Sequence, residues 1–339
     1  MPLTLEEVGK LAGVSRSTVS RVVNGHPSVR DEVRERVWQV IRETGYQPHA
    51  AARSLASRRS QVIGVIIPEA VSTLFVDPFF ALLLRGITGA CNTHGYQLML
   101  SLFDEPADQG ETYRRILRSG RMDGVLVAST HMNDPIFPKL LQDSIPFVLV
   151  GRHPDPRVNY VDVDNVGGAR MAVEHLIRLG HRRIATITGT LNMASGEDRL
   201  AGYCQALEAH RIPVQAALIG EGDFTKSSGT MGMQRLLSAS PTAVFAASDV
   251  MAMGALKALR EASLRVPEDV ALVGFDDIPV AAALEPALTT VRQPIDRLGS
   301  MAADLLLNLL ENAPDARAPA ARIILSARLI VRDSCGALH

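Results

Sequence analysis

The chain has 339 residues, long for a single domain and enough for two or three. Its 47% hydrophobic and 21% charged residues exclude wholesale disorder. No apolar run approaches the roughly 18 residues that a membrane-crossing helix requires. The net charge of −1 hides an asymmetry, because residues 1–60 carry ten Lys and Arg against six Asp and Glu. That balance of +4 leaves −5 on the remainder, so the N-terminal head is the part expected to meet a polyanion. The chain reaches Glu6 and Glu7 without a basic-then-apolar leader, and Cys91, Cys204 and Cys335 have neither metal-site spacing nor even pairing. A reduced, cytoplasmic setting away from membranes is therefore expected, with no cofactor and no metal.

In the head the pattern predicts three short helices. Thr4 and Glu7 form a capping box, and Leu5, Val8, Leu11 and Ala12 fall on one helical face that Gly13 ends. Ser15 can cap a second helix, Arg16 to Asn24, that buries Val19, Val22 and Val23 and presents Arg16, Ser17, Ser20 and Arg21 outward. Ser28 with Asp31 offers a cap for a third helix carrying Val29, Val33, Val37 and Ile41, and Gly45 stops it. Two helices joined by a tight turn at Gly13-Val14, with a third behind, make a helix-turn-helix, whose second helix enters the major groove. Arg suits bidentate contact with guanine, and hydroxyls near the helix ends suit phosphate. Any three-helix bundle shares this pattern, so geometry alone leaves the reading open.

The string Thr4-Leu5-Glu6-Glu7-Val8-Gly9-Lys10-Leu11-Ala12-Gly13-Val14-Ser15-Arg16-Ser17-Thr18-Val19-Ser20-Arg21-Val22-Val23-Asn24-Gly25 resembles the DNA-binding head of the lactose-repressor (LacI/GalR) family of bacterial transcription regulators. Gly45-Tyr46-Gln47-Pro48 and Ala51-Ala52-Arg53-Ser54-Leu55-Ala56 continue the likeness. The resemblance implies that Arg16, Ser17 and Arg21 read bases and that Ser15, Thr18 and Asn24 contact phosphate, with Thr4 in the same DNA-facing set. Residues 49–57 are Ala-rich but only about two helical turns long, too short to hold a helix alone in water. The family pattern makes this a hinge that orders on DNA, with Leu55 wedged into the minor groove.

From residue 61 short apolar runs alternate with amphipathic stretches. Strands are predicted at Ile63–Pro68, Gln97–Phe103, Gly124–Ser129, Phe147–Val150, Tyr160–Asp164, Arg183–Thr188, Ala243–Ala247 and Val270–Phe275. Helices are predicted at Phe79–His94, Gly168–Leu179, Arg199–His210, Ser228–Leu237 and Val250–Glu261. Such alternation, with unbroken apolar strands, means parallel sheets covered by helices on both faces. The predicted fold class is thus an all-α helix-turn-helix head plus an α/β body, which the resemblance makes a two-lobed, periplasmic-binding-protein-like effector domain. The expected boundaries are 1–47 for the head, 48–60 for hinge and linker, and 61–339 for effector binding and dimerisation. Within the body, one subdomain is expected at about 61–158 and 292–325 and the other at about 161–289 and 327–334. The loop Glu69–Val76 is longer than the family pattern has it.

Open α/β sheets bind ligands at the carboxyl ends of their strands. Asp276, in Gly274-Phe275-Asp276-Asp277, stands at such an end and can accept two sugar hydroxyls. Ser195 and Arg199 share a helical face, and Phe224 puts a ring in a loop where it can stack on a sugar or a base. Asp249, in Ala247-Ser248-Asp249, reads as a helix N-cap before a ligand contact. The resemblance places Arg199, Phe224 and Asp276 at effector-contacting positions, Ser195 and Ser248 at weaker ones, and Phe79 and Phe80 at the start of the first cleft helix. Phe80 is equally suited to the core. Arg152 matches a cleft-facing position and suits a surface as well.

No nucleotide-binding, nucleophile-elbow or zinc-protease motif is present, and adjacent Asp276 and Asp277 on a strand point to opposite faces, so an enzyme is not expected. The expected function is a repressor of carbohydrate-metabolism genes, released from a palindromic double-stranded operator by a sugar-type inducer. The alternative is a purine-type regulator whose ligand strengthens operator binding. A homodimer is expected rather than a tetramer, because no heptad helix follows Cys335.

Overall fold

The computed structural model describes residues 3–23, 26–46, 59–103, 113, 117, 120–128, 131–312 and 319–337. The chain divides into two compact units, Met1–Gln61 with Gly120–Met122, and the rest. In the first unit, helix α1 (Leu5–Ala12) opens on the expected capping box: Thr4 Oγ1 accepts from the Glu7 amide, and Glu7 Oε2 accepts from the Thr4 amide at 2.7 Å. Gly13, at φ 63°, ends it in a left-handed turn. Gly9 lets the chain double back, since a Cβ there would lie 2.9 Å from the Val14 carbonyl oxygen. The Val14 amide returns to the Gly9 carbonyl at 2.9 Å. Helices α2 (Arg16–Val23) and α3 (Asp31–Thr44) then pack Val8, Ala12, Val19, Val22, Val29, Val37, Ile41 and Tyr46 into one small core.

Two expectations for the head need correction. Leu11 is 59% exposed and stays out of this core, because Val8 and Ala12 already cover the face of α1 that meets α2 and α3. Ser28 does not cap α3. Its hydroxyl pairs with His26 Nδ1 at 2.9 Å, and Arg30 holds the N-cap position without a side-chain bond.

The second unit contains two six-stranded sheets. The first orders β11-β5-β4-β3-β1-β2 from β1 (Val62–Ala70), β2 (Gln97–Phe103), β3 (Gly124–Ala128), β4 (Phe147–Val150), β5 (Tyr160–Val163) and β11 (Arg322–Leu325), all parallel. The second orders β12-β10-β9-β8-β6-β7 from β6 (Ile184–Ile187), β7 (Ile219–Gly220), β8 (Ala243–Ala246), β9 (Ala271–Asp276), β10 (Thr289–Arg292) and β12 (Arg328–Ile330). Only β12 runs antiparallel, against β10. The chain passes from first lobe to second after Val163, back after Arg292, and over again after Leu325. The first crossing lies later than the expected 158–161, because β5 pairs on both edges inside the first sheet, with β4 and with β11.

Alternation along the strands of the second sheet feeds two cores. Ala185, Ile187, Val244, Ala246 and Leu272 pack under α9 (Lys226–Leu236) and α10 (Asp249–Glu261). Ile184, Phe245, Val273 and Phe275 pack under α7 (Asn165–Arg178) and α8 (Ala194–Ala209). Both faces are buried, hence the unbroken apolar runs. Several elements were absent from the sequence reading. The stretch 69–76, expected as a loop, instead extends β1 to Ala70 and forms helix α4 (Val71–Val76). Helix α6 (Ile136–Gln142), strand β7 and the 17-residue α11 (Ile295–Glu311) are also additional.

Helix α11 packs along α5 (Pro78–Thr93) at close range in the first-lobe core. Glycine on each helix permits this: a Cβ at Gly86 would lie 2.0 Å from the Asp296 carbonyl oxygen, and one at Gly299 would lie 2.4 Å from that of Leu83. Arg85 and Asp296 pair beside the seam. Gly86→Leu should therefore destabilise the body by about 1–3 kcal/mol, since a bulky side chain would drive the helices apart. Thermal unfolding of the variant, with a midpoint several degrees lower, checks this.

Candidate functional site

On the head, α2 buries Val19 and Val22 and leaves Arg16, Ser17 and Arg21 exposed. Ser15 is the hub of its N-terminus: Oγ accepts from the Thr18 amide at 3.2 Å and lies 2.8 Å from Ser17 Oγ and 2.9 Å from Thr18 Oγ1. No acidic residue occupies the first turn of α2, so the helix N-terminus and Arg16 present one positive end, which suits an anion. The Thr4 hydroxyl is engaged by Glu7 at 2.9 Å. Asn24, Leu55 and the hinge stretch 49–57 lie outside the described residues.

In the body a cavity opens between the lobes at the carboxyl ends of the strands. It encloses about 930 Å³ of empty space, the open solvent at its mouth included. Phe79, Phe80, Arg152, Ser195, Arg199, Phe224, Ser248 and Asp276 all line it. So do Asp77, Asp162, Asn165, Met193, Asp223 and Gln293, which the sequence reading did not single out as contacts. Three of these stand within two residues of a predicted contact: Asp77 is two before Phe79, Met193 is two before Ser195, and Asp223 adjoins Phe224. Asp162 and Asn165 had no local signal, since the end of β5 becomes a cleft wall only when the lobes face each other.

The centre of the cavity is a buried ion pair. Arg199 is 5% exposed; its Nη1 lies 3.4 Å from Asp276 Oδ1 and donates to the Ala247 carbonyl at 2.5 Å, while Nε donates to Asn165 Oδ1 at 2.9 Å. The guanidinium stacks 3.8 Å from the ring centroid of Phe275 and lies 5.8 Å from that of Phe224. Asp276 sits at φ 118°, a conformation rare for a non-glycine residue, and Gln293 Nε2 donates to its Oδ1 at 2.6 Å. Burial pushes the Asp276 carboxyl up to about 7, with Asp77 adding to the rise, and outweighs the opposing pull of Arg199. Burial likewise lowers the Arg199 pKa against the nearby carboxylates. The strained backbone and the costly pair both mark a binding site.

The neighbours divide the remaining work. Asp277 lies just beyond β9, at φ 57°, so strand alternation does not set its direction; it turns away from Asp276 to Arg292 and Arg332. Ser248, not Asp249, is the N-cap of α10, with Oγ accepting from the Met251 amide at 3.1 Å. Asp249 is fully buried one residue later and accepts from Thr290 Oγ1 at 2.5 Å and the Ile278 amide at 2.9 Å. Phe224, at φ 67°, lays its ring on Gly189, where a Cβ would come within 2.0 Å of it. Phe80 belongs to the first-lobe core and also walls the cavity. Arg152 reaches over the mouth to Asp198.

Residues 4–49 match the bacterial regulatory proteins of the lacI family, and residues 173–335 match the periplasmic binding protein-like domain. The chain is 42% identical over 336 residues to the HTH-type transcriptional regulator CelR of Thermobifida fusca, covering 98% of both proteins. The chain belongs to the lacI family of bacterial regulatory proteins. It is 38% identical to the HTH-type transcriptional repressor PurR of Edwardsiella ictaluri, over 90% of this chain and 89% of that protein. A solved complex of the regulator CelR with cellobiose matches at TM-score 0.77 and 40% identity, over 98% of this chain and 99% of that one. A lac repressor dimer bound to operator and the anti-inducer ONPF matches at TM-score 0.86 and 30% identity, over 99% and 100%. As a member of this family the protein is a transcription regulator rather than an enzyme. Among the described residues no group of three or more His, Cys, Asp or Glu gathers as a metal site, and no helix is long and apolar enough to cross a membrane.

Asp162 makes the cleft pH-sensitive. Burial raises its carboxyl to about 6, while the Val163 amide, donating at 2.8 Å, and Arg199 oppose the rise. The folded state therefore holds this proton at pH values where the unfolded chain has lost it, and stability falls as pH rises from about 4 to about 6. Asp162→Asn should remove this component, on the order of 3 kcal/mol, and make that part of the profile shallower, leaving the slope that Asp276 contributes. Unfolding midpoints of both proteins across the window test it.

Proposed function

We propose that the protein is a sugar-responsive repressor of carbohydrate-metabolism genes. As a homodimer in the cytoplasm, it holds a palindromic operator through Arg16, Ser17 and Arg21 of each head, with Thr4, Ser15, Thr18 and Asn24 towards phosphate and Leu55 in the minor groove. A small sugar enters the interlobe cavity and releases the operator, a coupling of about 1–3 kcal/mol. The observation that carries the reading is the cavity itself, where a buried Arg199–Asp276 pair, the Phe224 ring and several carboxylate acceptors converge. Rings offer a face to a pyranose, and carboxylates accept its hydroxyls in pairs. The cellobiose complex of the 40%-identical CelR and the operator-bound lac repressor dimer support the same reading.

The purine-type alternative draws on the PurR relatives. It fits the cavity less well, because the polar groups gathered there are mainly acceptors suited to many hydroxyl donors.

Two experiments test the halves separately. Asp276→Ala should weaken effector binding about tenfold to a hundredfold and abolish release, while ligand-free protein still binds operator. Calorimetry with cellobiose and gel shifts measure both, and a normal response would move the ligand elsewhere. Arg16→Ala should lose about 1–3 kcal/mol of discrimination at one operator position. Unchanged selectivity across an operator library would remove Arg16 from base reading.

A further inference from the structure

Among the described residues, the cationic side chains lining the cavity are Arg152 and Arg199, set against the carboxylates of Asp77, Asp162, Asp223 and Asp276. Arg199 is balanced by Asp276 inside the site. Arg152 is balanced from outside it. Arg152 follows β4 in the first lobe and crosses to α8 of the second, where Nε donates to Asp198 Oδ2 at 2.6 Å and Nη2 donates to Oδ1 at 2.5 Å. Glu197 Oε2 stands 3.5 Å from the same Nη2. The geometry is the two-pronged pairing that an arginine would otherwise offer to a phosphate. The side chain of Asp198 is 11% exposed, whereas that of Arg152 is 33% exposed and lies at the cavity edge.

We propose that Asp198 sets the charge specificity of the cleft: by occupying the fork of Arg152 it excludes phosphorylated effectors and leaves a site for unphosphorylated, hydroxyl-rich glycosides. The inference rests on the reading of this cavity as the effector site. A phosphoryl group would bring about −1.5 to −2 charges into a cavity already rich in carboxylates. To recruit Arg152 it would have to strip Asp198 of its partner and leave a largely buried carboxylate unpaired. A neutral glycoside meets no such conflict, since its hydroxyls donate to the carboxylates already present. Asp198 is thus a positioning residue that acts through Arg152. The same pair bridges the lobes, as does the bond from the Met132 amide to the Asn192 carbonyl at 2.8 Å. The test must therefore separate specificity from closure.

Calorimetric titration of the full chain with cellobiose and with its 6- and 6′-phosphates makes that separation. Wild-type protein should bind cellobiose at least about tenfold more tightly than either phosphate. Asp198→Asn should narrow that ratio about tenfold by freeing Arg152, Asp198→Glu should keep it, and adding Arg152→Ala to Asp198→Asn should restore it. Arg152→Ala alone, which leaves Asp198 bare, should widen it, and this variant decides the matter if Asp198→Asn does not fold. A merely structural bridge would lower affinity for all three sugars equally in Asp198→Asn, and that result overturns the proposal. So does wild-type protein that binds a phosphate as tightly as cellobiose, which leaves the sugar-effector reading standing. Binding of a purine base and of none of the sugars removes that reading and this one together.

Discussion

The body is organised around a cost that its own folding creates. Arg199 and Asp276 are drawn out of water where two lobes meet, and the low-dielectric surroundings penalise both charges. The surrounding structure offsets that penalty piece by piece. Asn165 and the Ala247 carbonyl take two of the arginine donors, Phe275 lies under the guanidinium plane, and Gln293 holds the carboxylate. These partners come from α7, the end of β8, β9 and the second crossing, so the pair is satisfied only when those elements are all in place. A ligand that adds hydrogen bonds to these groups completes an unfinished network, and the gain is available only in the arrangement that brings the elements together.

Head and body solve opposite electrostatic problems. The head keeps its charges outside a small apolar core, and α2 offers Arg16, Arg21 and a helix N-terminus free of acidic residues. Surface charges cost little there and remain free to meet a polyanion. The body gathers carboxylates inward, where burial raises Asp77, Asp162 and Asp276 together. A cleft of that kind recognises hydrogen-bond donors, and its pairing of Arg152 with Asp198 keeps the mouth from acting as an anion trap.

Much of this was legible in the chain itself. The Thr4–Glu7 box, the Gly13 turn and the apolar stripes of α2 and α3 are local signals, and they appear where expected because each depends on residues within a few positions of one another. The parallel β/α alternation of the body was visible for the same reason. The eight residues drawn from the family resemblance also converge on one cavity. Helix α11 was overlooked although Ile295, Leu298, Ala302, Leu306 and Leu309 carry its stripe. The stretch 69–76 read as a loop because its helix is only six residues long and leaves Phe75 and Val76 exposed.

By itself, then, the sequence determined the three helices of the head, the β/α alternation of the body, the family and the choice of Arg199 and Asp276 as candidates, since helix caps, periodicity and motif strings are written in short range. Tertiary structure alone decided which lobe β5 joins, that Leu11 faces outward, that Ser248 rather than Asp249 caps α10, and that Asp162, Asn165 and Gln293 wall the cleft. It also decided that Arg152 meets Asp198. Each of these depends on surfaces far apart in the chain coming within hydrogen-bonding reach, and no local pattern encodes a distance between two lobes.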